Sequence, residues 1–182
     1  METIETPRLI LRPMDADDTQ SIFDILCDPA TAWWADVWRM YNRVQAYDFI
    51  NWANRAPEME QYGMVEKESG RLVGFIQVKL PGMTGVPRTR ELGYALSKDH
   101  RRKGFMSEAV QAVCGRLFAE PDVDAVSLEI HLRNEGSLGV ARRCGFRHWQ
   151  QAGGVKERRW LDGEPLDRFI LTRPEKSDHR AA

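Results

Sequence analysis

The stretch His100-Arg-Arg-Lys-Gly-Phe-Met-Ser-Glu-Ala109 stands between two segments of different hydrophobic period. Upstream, Thr89-Arg-Glu-Leu-Gly-Tyr-Ala-Leu96 is rich in branched and aromatic residues and predicts a strand. Downstream, Val110, Val113, Cys114, Leu117 and Phe118 recur at the i, i+3, i+4, i+7, i+8 spacing of one helix face. A strand therefore runs into a short basic loop, and the loop opens a helix at Gly104. First-turn N–H groups have no intrahelical partner and lie at the positive end of the helix dipole. They suit a phosphate, and Gly104 has no Cβ to hold that phosphate away. Arg101, Arg102 and Lys103 add positive charge on the approach, so the segment reads as a pyrophosphate cradle. A solvated basic turn that only begins a surface helix is the plainer alternative.

Beyond this unit the helix stops at Pro121, and Ala125–Leu132 alternates as a strand. Val126, Leu128, Ile130 and Leu132 share one face, with Ser127, Glu129 and His131 on the other. Asn134-Glu-Gly-Ser137 follows, then a short helix over Leu138–Cys144 closed by Gly145, a left-handed residue past its end. Phe146 onward, Val155–Leu161 and Pro165–Thr172 read as terminal strands around Asp162-Gly163. Upstream, Tyr62–Lys67 and Leu72–Leu80 form a hairpin about Glu68-Ser-Gly70. Pro81–Pro87 is a loop by composition. At the start, Leu9 and Leu11 alternate with Arg8, Ile10 and Arg12 in a strand ended by Pro13. Asp15, Asp17 and Asp18 then favour a helix N-terminus, with Ile22, Phe23, Ile25 and Leu26 on the helix's apolar side.

Composition bounds the reading. At 182 residues the chain is expected to be one domain over 1–174 with a polar tail at 175–182. A hydrophobic content of 42% with 29% charged residues fits a soluble globular protein. The net charge of −1 gives no general pull toward nucleic acid or anionic membrane, so the basic loop is a local feature. No apolar run approaches the roughly 20 residues of a spanning helix, and the start has no signal-peptide core. Cys27, Cys114 and Cys144 are odd in number and widely spaced, which points to free thiols in the reducing cytoplasm. The four histidines make no metal-ligand spacing, so no metal is expected.

The central segment resembles the acyl-CoA-binding motif of the Gcn5-related N-acetyltransferases, Gln/Arg-x-x-Gly-x-Gly/Ala, here Arg101-x-x-Gly104-x-Met106. Met106 departs from the pattern, while Gly-Phe-Met-Ser-Glu-Ala is similar to the branch that acetylates ribosomal proteins. The opening Thr6-x-Arg-Leu-x-Leu-Arg-Pro13, the run Asn134-x-x-Ser137 to Cys144-Gly-Phe146, and the closing Gly163–Asp167 resemble the same branch in the same order. The resemblance implies an α/β (α+β) fold, a mixed twisted sheet of about six to seven strands with helices on both faces. A central strand pair is expected to splay, the first of the two being Thr89–Leu96, with acetyl-CoA entering the gap. An amine acceptor follows, either a protein N-terminus or a small molecule, acetylated by direct attack in a ternary complex.

Such a transfer needs a base, because an amine with a pKa near ~10 is protonated at neutral pH. Glu91 is the first candidate and Glu129 the second; the plain alternative for Glu91 is an ion pair with Arg88 or Arg90. The thioester oxygen needs N–H donors, which the resemblance places around Tyr94, Ala95 and Leu96. Ser137 is the candidate acid for the leaving thiolate, or else only a helix cap. Asn134 is expected to bind the pantetheine arm or fix its loop. With Arg101, Arg102, Lys103, Gly104, Phe105, Met106 and Ser107 these complete the expected coenzyme site. Trp33, Trp34 and Trp38, on a loop before a second helix, pack internally or line an acceptor cleft or a homodimer face. A non-catalytic acyl-CoA-binding module is the rival reading; it would keep Arg101–Ser107 and dispense with Glu91 and Ser137.

Overall fold

In the computed structural model, which describes residues 1–80, 86–149 and 166–174, the sheet order is β1-β2-β3-β4-β5-β6-β8-β7. The first three strands are β1 (Ile4–Glu5), β2 (Leu9–Arg12) and β3 (Met59–Glu66). They are followed by β4 (Leu72–Lys79), β5 (Thr89–Leu96), β6 (Ala125–His131), β7 (Arg147–His148) and β8 (Leu166–Thr172). The eight strands exceed the expected six to seven because β1 and β7 are only two residues long, below what alternation can reveal. The expected strand at Val155–Leu161, the loop at 81–85 and the tail at 175–182 lie outside the described residues.

All neighbouring pairs are antiparallel except β5 with β6. That parallel pair is joined through α4 (Phe105–Ala119), because parallel neighbours need a crossover. Its register spans only Thr89↔Ala125, Arg90↔Val126 and Glu91↔Ser127. Past Glu91 the two strands part, while β5 stays paired with β4 as far as Leu96. This is the expected splay.

Two cores cover the two faces. Leu92 on β5, with Tyr94 and Leu96 against it, joins Val110, Val113 and Leu117 of α4 and Val140 of α5 (Glu135–Arg143). Ala95, on the opposite face of β5, joins Phe75, Ile22 of α1 (Thr19–Leu26) and Ile50 of α3 (Arg43–Ala53). Burying each large aliphatic side chain contributes about 1.5–3 kcal/mol. The alternation along β5 therefore fixes which of its groups look toward α4 and the gap.

Trp33 and Trp34 lie on a short helix, α2 (Pro29–Trp34), and not on the expected loop. Pro29 sits in its first turn and the Asp28 side chain accepts from the Thr31 N–H, so local capping wins over the low helix propensity of paired tryptophans. Helix α5 also begins earlier than Leu138, at Glu135, because Asn134 caps it. Gly145 takes φ +80 just past its end, as expected of a left-handed terminator.

Candidate active site

The loop between β5 and α4 is held from behind by the turn between β1 and β2. Glu108, in the first turn of α4, accepts from the Thr6 hydroxyl at 2.6 Å, the Arg8 N–H at 2.9 Å and Arg8 Nε at 2.7 Å. Arg8 also donates to the Lys103 carbonyl at 2.9 Å and lies 4.4 Å from the Phe105 ring centre. Burial raises the Glu108 pKa, but the bonds from Thr6 and Arg8 outweigh it, so the carboxyl sits below its ordinary value. Thr6 and Arg8 of the opening motif thus serve the cradle from about 100 residues away.

Gly104 is the N-cap of α4 with φ +85, a conformation that costs an L side chain strain, and no side chain caps the helix. The Phe105, Met106 and Ser107 N–H groups consequently face outward without an intrahelical partner. The Phe105 and Met106 side chains are buried in the core. Met106 stands where the motif has glycine or alanine, with its side chain packed into that core. The Ser107 hydroxyl accepts from Arg143 Nε at 3.1 Å, tying α4 to α5. Arg102 also has positive φ, at 63, and lines the cavity with Arg101. Arg101 Nη2 donates to the Thr31 hydroxyl at 2.6 Å and lies 3.8 Å from Asp28, so it braces the loop against α2. Lys103 is exposed and stands on the wall of neither cavity described below.

In front of this loop lies a cavity of about 570 Å³, running from Arg101 and Gly104 along β5 to Asn134 and Ser137. Beyond it a wider cleft of about 790 Å³ opens on the other side of the splay, walled by Trp34, Trp38, Trp52, Glu91, Glu129 and His131 among others. The two share Trp34, Ala35, Tyr94, Asn134 and Ser137. Trp33 lines neither, and Trp38 is 92% exposed at the rim of the wider one.

The parted edge of β5 has peptide groups to offer. The Ser97 N–H donates to the Val73 carbonyl beside β4 at 2.8 Å. Alternation along an antiparallel pair then turns the Leu96, Tyr94 and Leu92 peptide groups toward the gap. The Ser127 hydroxyl, 3.5 Å from the Arg90 carbonyl, keeps the same phase where the strands still touch. Ala95 is buried on the other face.

Both candidate bases are ion-paired. Glu91 is 2% exposed and bonded to Lys79, its register partner on β4. The alternative pairing with Arg88 or Arg90 is not what forms: Arg88 binds Asp124, with Nη2 2.8 Å from Oδ1, and Arg90 binds Glu120 at 3.1 Å and Asp122 at 2.9 Å. Glu129 is bonded to Arg168 of β8 at 2.6 Å. At the start of α5, Asn134 Oδ1 accepts the Ser137 N–H at 3.1 Å. Asn134 is therefore the cap, and Ser137, three residues in, leaves its hydroxyl free of capping duty. The Tyr94 hydroxyl is buried with no described hydrogen-bond partner. Burial pushes its pKa up, with Ser137 nearby partly offsetting the push.

Sequence reasoning missed several neighbours. His131 ends β6 in the wider cleft, stacks edge-on against Trp34 with ring centres 5.4 Å apart, and accepts the Arg133 N–H at Nδ1, 3.1 Å away. That bond sets the proton of the neutral ring on Nε2. Lys79, Arg168 and Trp52 became visible only through strand register and helix placement; Glu129 and His131 on one strand face were the only hint in the sequence. Among the described residues no group of three or more metal-ligating side chains is gathered, and no helix is long and apolar enough to cross a membrane.

The described geometry has recognisable relatives. The Bacillus licheniformis protein named uncharacterized N-acetyltransferase p20 is 23% identical over 175 residues, covering 94% of this chain and 96% of its own. Two solved structures share the fold. One is the RimL ribosomal L7/L12 alpha-N-protein acetyltransferase in complex with coenzyme A, with TM-score 0.74, 18% identity, and coverage of 94% of this chain and 98% of that one. The other is the spermidine N-acetyltransferase from Vibrio cholerae in complex with CoA and spermine, with TM-score 0.72, 14% identity, and coverage of 92% and 97%. Residues 8–147, which carry Arg8, the cradle, the splayed strands and the capped helix, match the family described as the acetyltransferase (GNAT) domain. The chain belongs to the GNAT acetyltransferases.

Proposed function

We propose that the protein moves an acetyl group from acetyl-CoA to a primary amine by direct attack, with both substrates bound at once. The observation that carries this reading is the meeting of two cavities at Tyr94, Asn134 and Ser137: a cradle-lined one for the coenzyme and a wider one for the acceptor. The pyrophosphate binds the Phe105–Ser107 N–H groups, and the pantetheine arm follows the parted edge of β5. The Tyr94 and Leu96 N–H groups then lie where a thioester oxygen gains charge, the setting in which fixed donors contribute most. Glu91, at the root of the splay, accepts the amine's proton directly or through water. Ser137 stabilises the departing thiolate from the coenzyme side.

The solved relatives in complex with CoA support the coenzyme half. Their named acceptors, a ribosomal protein N-terminus and a polyamine, bracket the acceptor classes proposed here. The wider cleft, open and aromatic at its rim, suits either. The test is acetyl-CoA-dependent thiol release with a panel of peptides bearing free Ser or Ala N-termini, polyamines and aminoglycosides. Release that requires one of these amines, with the acetyl group recovered on it, is expected. Tight acetyl-CoA binding with no release across the panel would favour the binding-module reading.

A further inference from the structure

Tyr94 reaches the seam between the cavities from the middle of β5, with its ring against the core under α4 and α5. Its hydroxyl oxygen is buried, and no described hydrogen bond reaches it. A stranded buried hydroxyl is destabilising, and such groups are rare enough to call for an explanation. The polar side chain that acts on it most is Ser137, and Cys144 and Arg143 are its titratable neighbours. Ser137 is free to answer, because Asn134 has taken over the helix cap.

We infer that the Tyr94 hydroxyl is a positioning group: in the coenzyme complex it donates to Ser137 Oγ and so turns the Ser137 O–H toward the sulfur of the bound thioester. The inference rests on the acetyl-transfer reading. In that reaction the amine nitrogen forms a bond to the carbonyl carbon, and the C–S bond breaks with its electron pair going to sulfur. The amine's surplus proton leaves to the base or to water. The Ser137 O–H stabilises the thiolate by hydrogen bonding, and the serine keeps its own proton in the balance. A serine hydroxyl alone can rotate among several acceptors; a donor fixed behind its oxygen removes that freedom. Burial keeps the phenol protonated, so Tyr94 retains a proton to donate.

The test needs no acceptor. CoA and desulfo-CoA, which lacks the sulfur, are titrated against the wild type, Tyr94→Phe, Ser137→Ala and the double variant. Wild type is expected to prefer CoA, and Tyr94→Phe to lose about 2–10-fold of that preference, the worth of one hydrogen bond. The double variant is expected to lose no more than Ser137→Ala alone, because residues acting as a unit are not additive. The thermal midpoint of coenzyme-free Tyr94→Phe should not fall, since without the thioester no described hydrogen bond reaches that hydroxyl. An unchanged CoA preference, additive losses or a lowered midpoint would overturn the assignment while leaving the coenzyme site in place. Failure of the wild type to bind either ligand would overturn both.

Discussion

The narrower cavity is walled by residues close together in sequence, Tyr94 to Ser107 and Asn134 to Arg143, with α2 closing one side. The wider one is assembled from more of the chain: α2 and the segment after it, α3, β3, β4, β5, β6, α5 and β8. The first offers peptide groups fixed by a helix start and a parted strand; the second offers ion pairs and aromatic rings. Backbone donors tolerate changes of side chain so long as the path of the chain is kept, and Met106 illustrates it by facing the core. Side-chain chemistry tolerates no such exchange. Substitutions should therefore sort by half: path-changing ones weaken coenzyme binding, and charge-changing ones on the acceptor side slow turnover.

The largest effect belongs to the acceptor half. Glu91→Gln keeps shape but removes proton acceptance, so kcat should fall about 10²–10⁴-fold, most visibly at low pH, with acetyl-CoA affinity nearly unchanged. Glu129→Gln should cost much less in kcat and mainly lower stability, by weakening the charge-assisted bond to Arg168. Steady-state kinetics on both variants would break the contrast if the losses proved small and equal, the pattern of deprotonation through water with no single base.

In the coenzyme half, Gly104→Val forces a branched side chain to φ +85 and toward Arg8 Nη2, 3.3 Å from its Cβ position. Loss of one charge-assisted bond to the cradle is worth about 1.5–3 kcal/mol, or roughly ten- to a hundredfold in Kd. Lys103→Ala, at an exposed position, should change Kd by no more than about fivefold. Calorimetric titration on folded protein separates the two, and a larger loss for Lys103 would reverse the claim that backbone dominates here.

At the start of α5, neighbouring residues should trade effects. Ser137→Ala should lower kcat about tenfold at constant stability, the modest end expected because a thiolate leaves readily. Asn134→Ala should instead cost about 0.5–2 kcal/mol of stability as a lost cap. Thermal unfolding and kinetics on the same preparations read both. A lowered midpoint for Ser137→Ala with unchanged kcat would remove Ser137 from the chemistry.

The smallest effect tests the clamp behind the cradle. Glu108 has a folded pKa below its unfolded one, so its bonds to Thr6 and Arg8 stabilise fully above the unfolded value and fade as pH falls through the folded one. Urea midpoints of wild type and Glu108→Gln should differ at pH 7 and converge below about pH 4. A constant gap would mean that the carboxylate charge is not what holds the loop.

The contrast between the halves also governs what the sequence disclosed. Strand, basic loop, Gly104 and helix were legible because period and backbone geometry act over a few residues. The splay was implied by resemblance and appears as a register that stops at Glu91. The partners of Glu91 and Glu129 were not legible, because Lys79 and Arg168 meet them only through strand pairing. The cap was assigned to Ser137 as an alternative when Asn134, three residues earlier, holds it. Placing Trp34 on a helix against His131 required the packing of α2 across the cleft.

The most direct test of the two-part site is a crystal structure of the protein with acetyl-CoA bound. Pyrophosphate oxygens are expected about 3 Å from the Phe105–Ser107 N–H groups. The thioester is expected at Tyr94 and Ser137, with its carbonyl carbon facing the cleft that Glu91 lines. A coenzyme lying outside the β5–β6 gap, or an acetyl group turned away from that cleft, would contradict the two-part site.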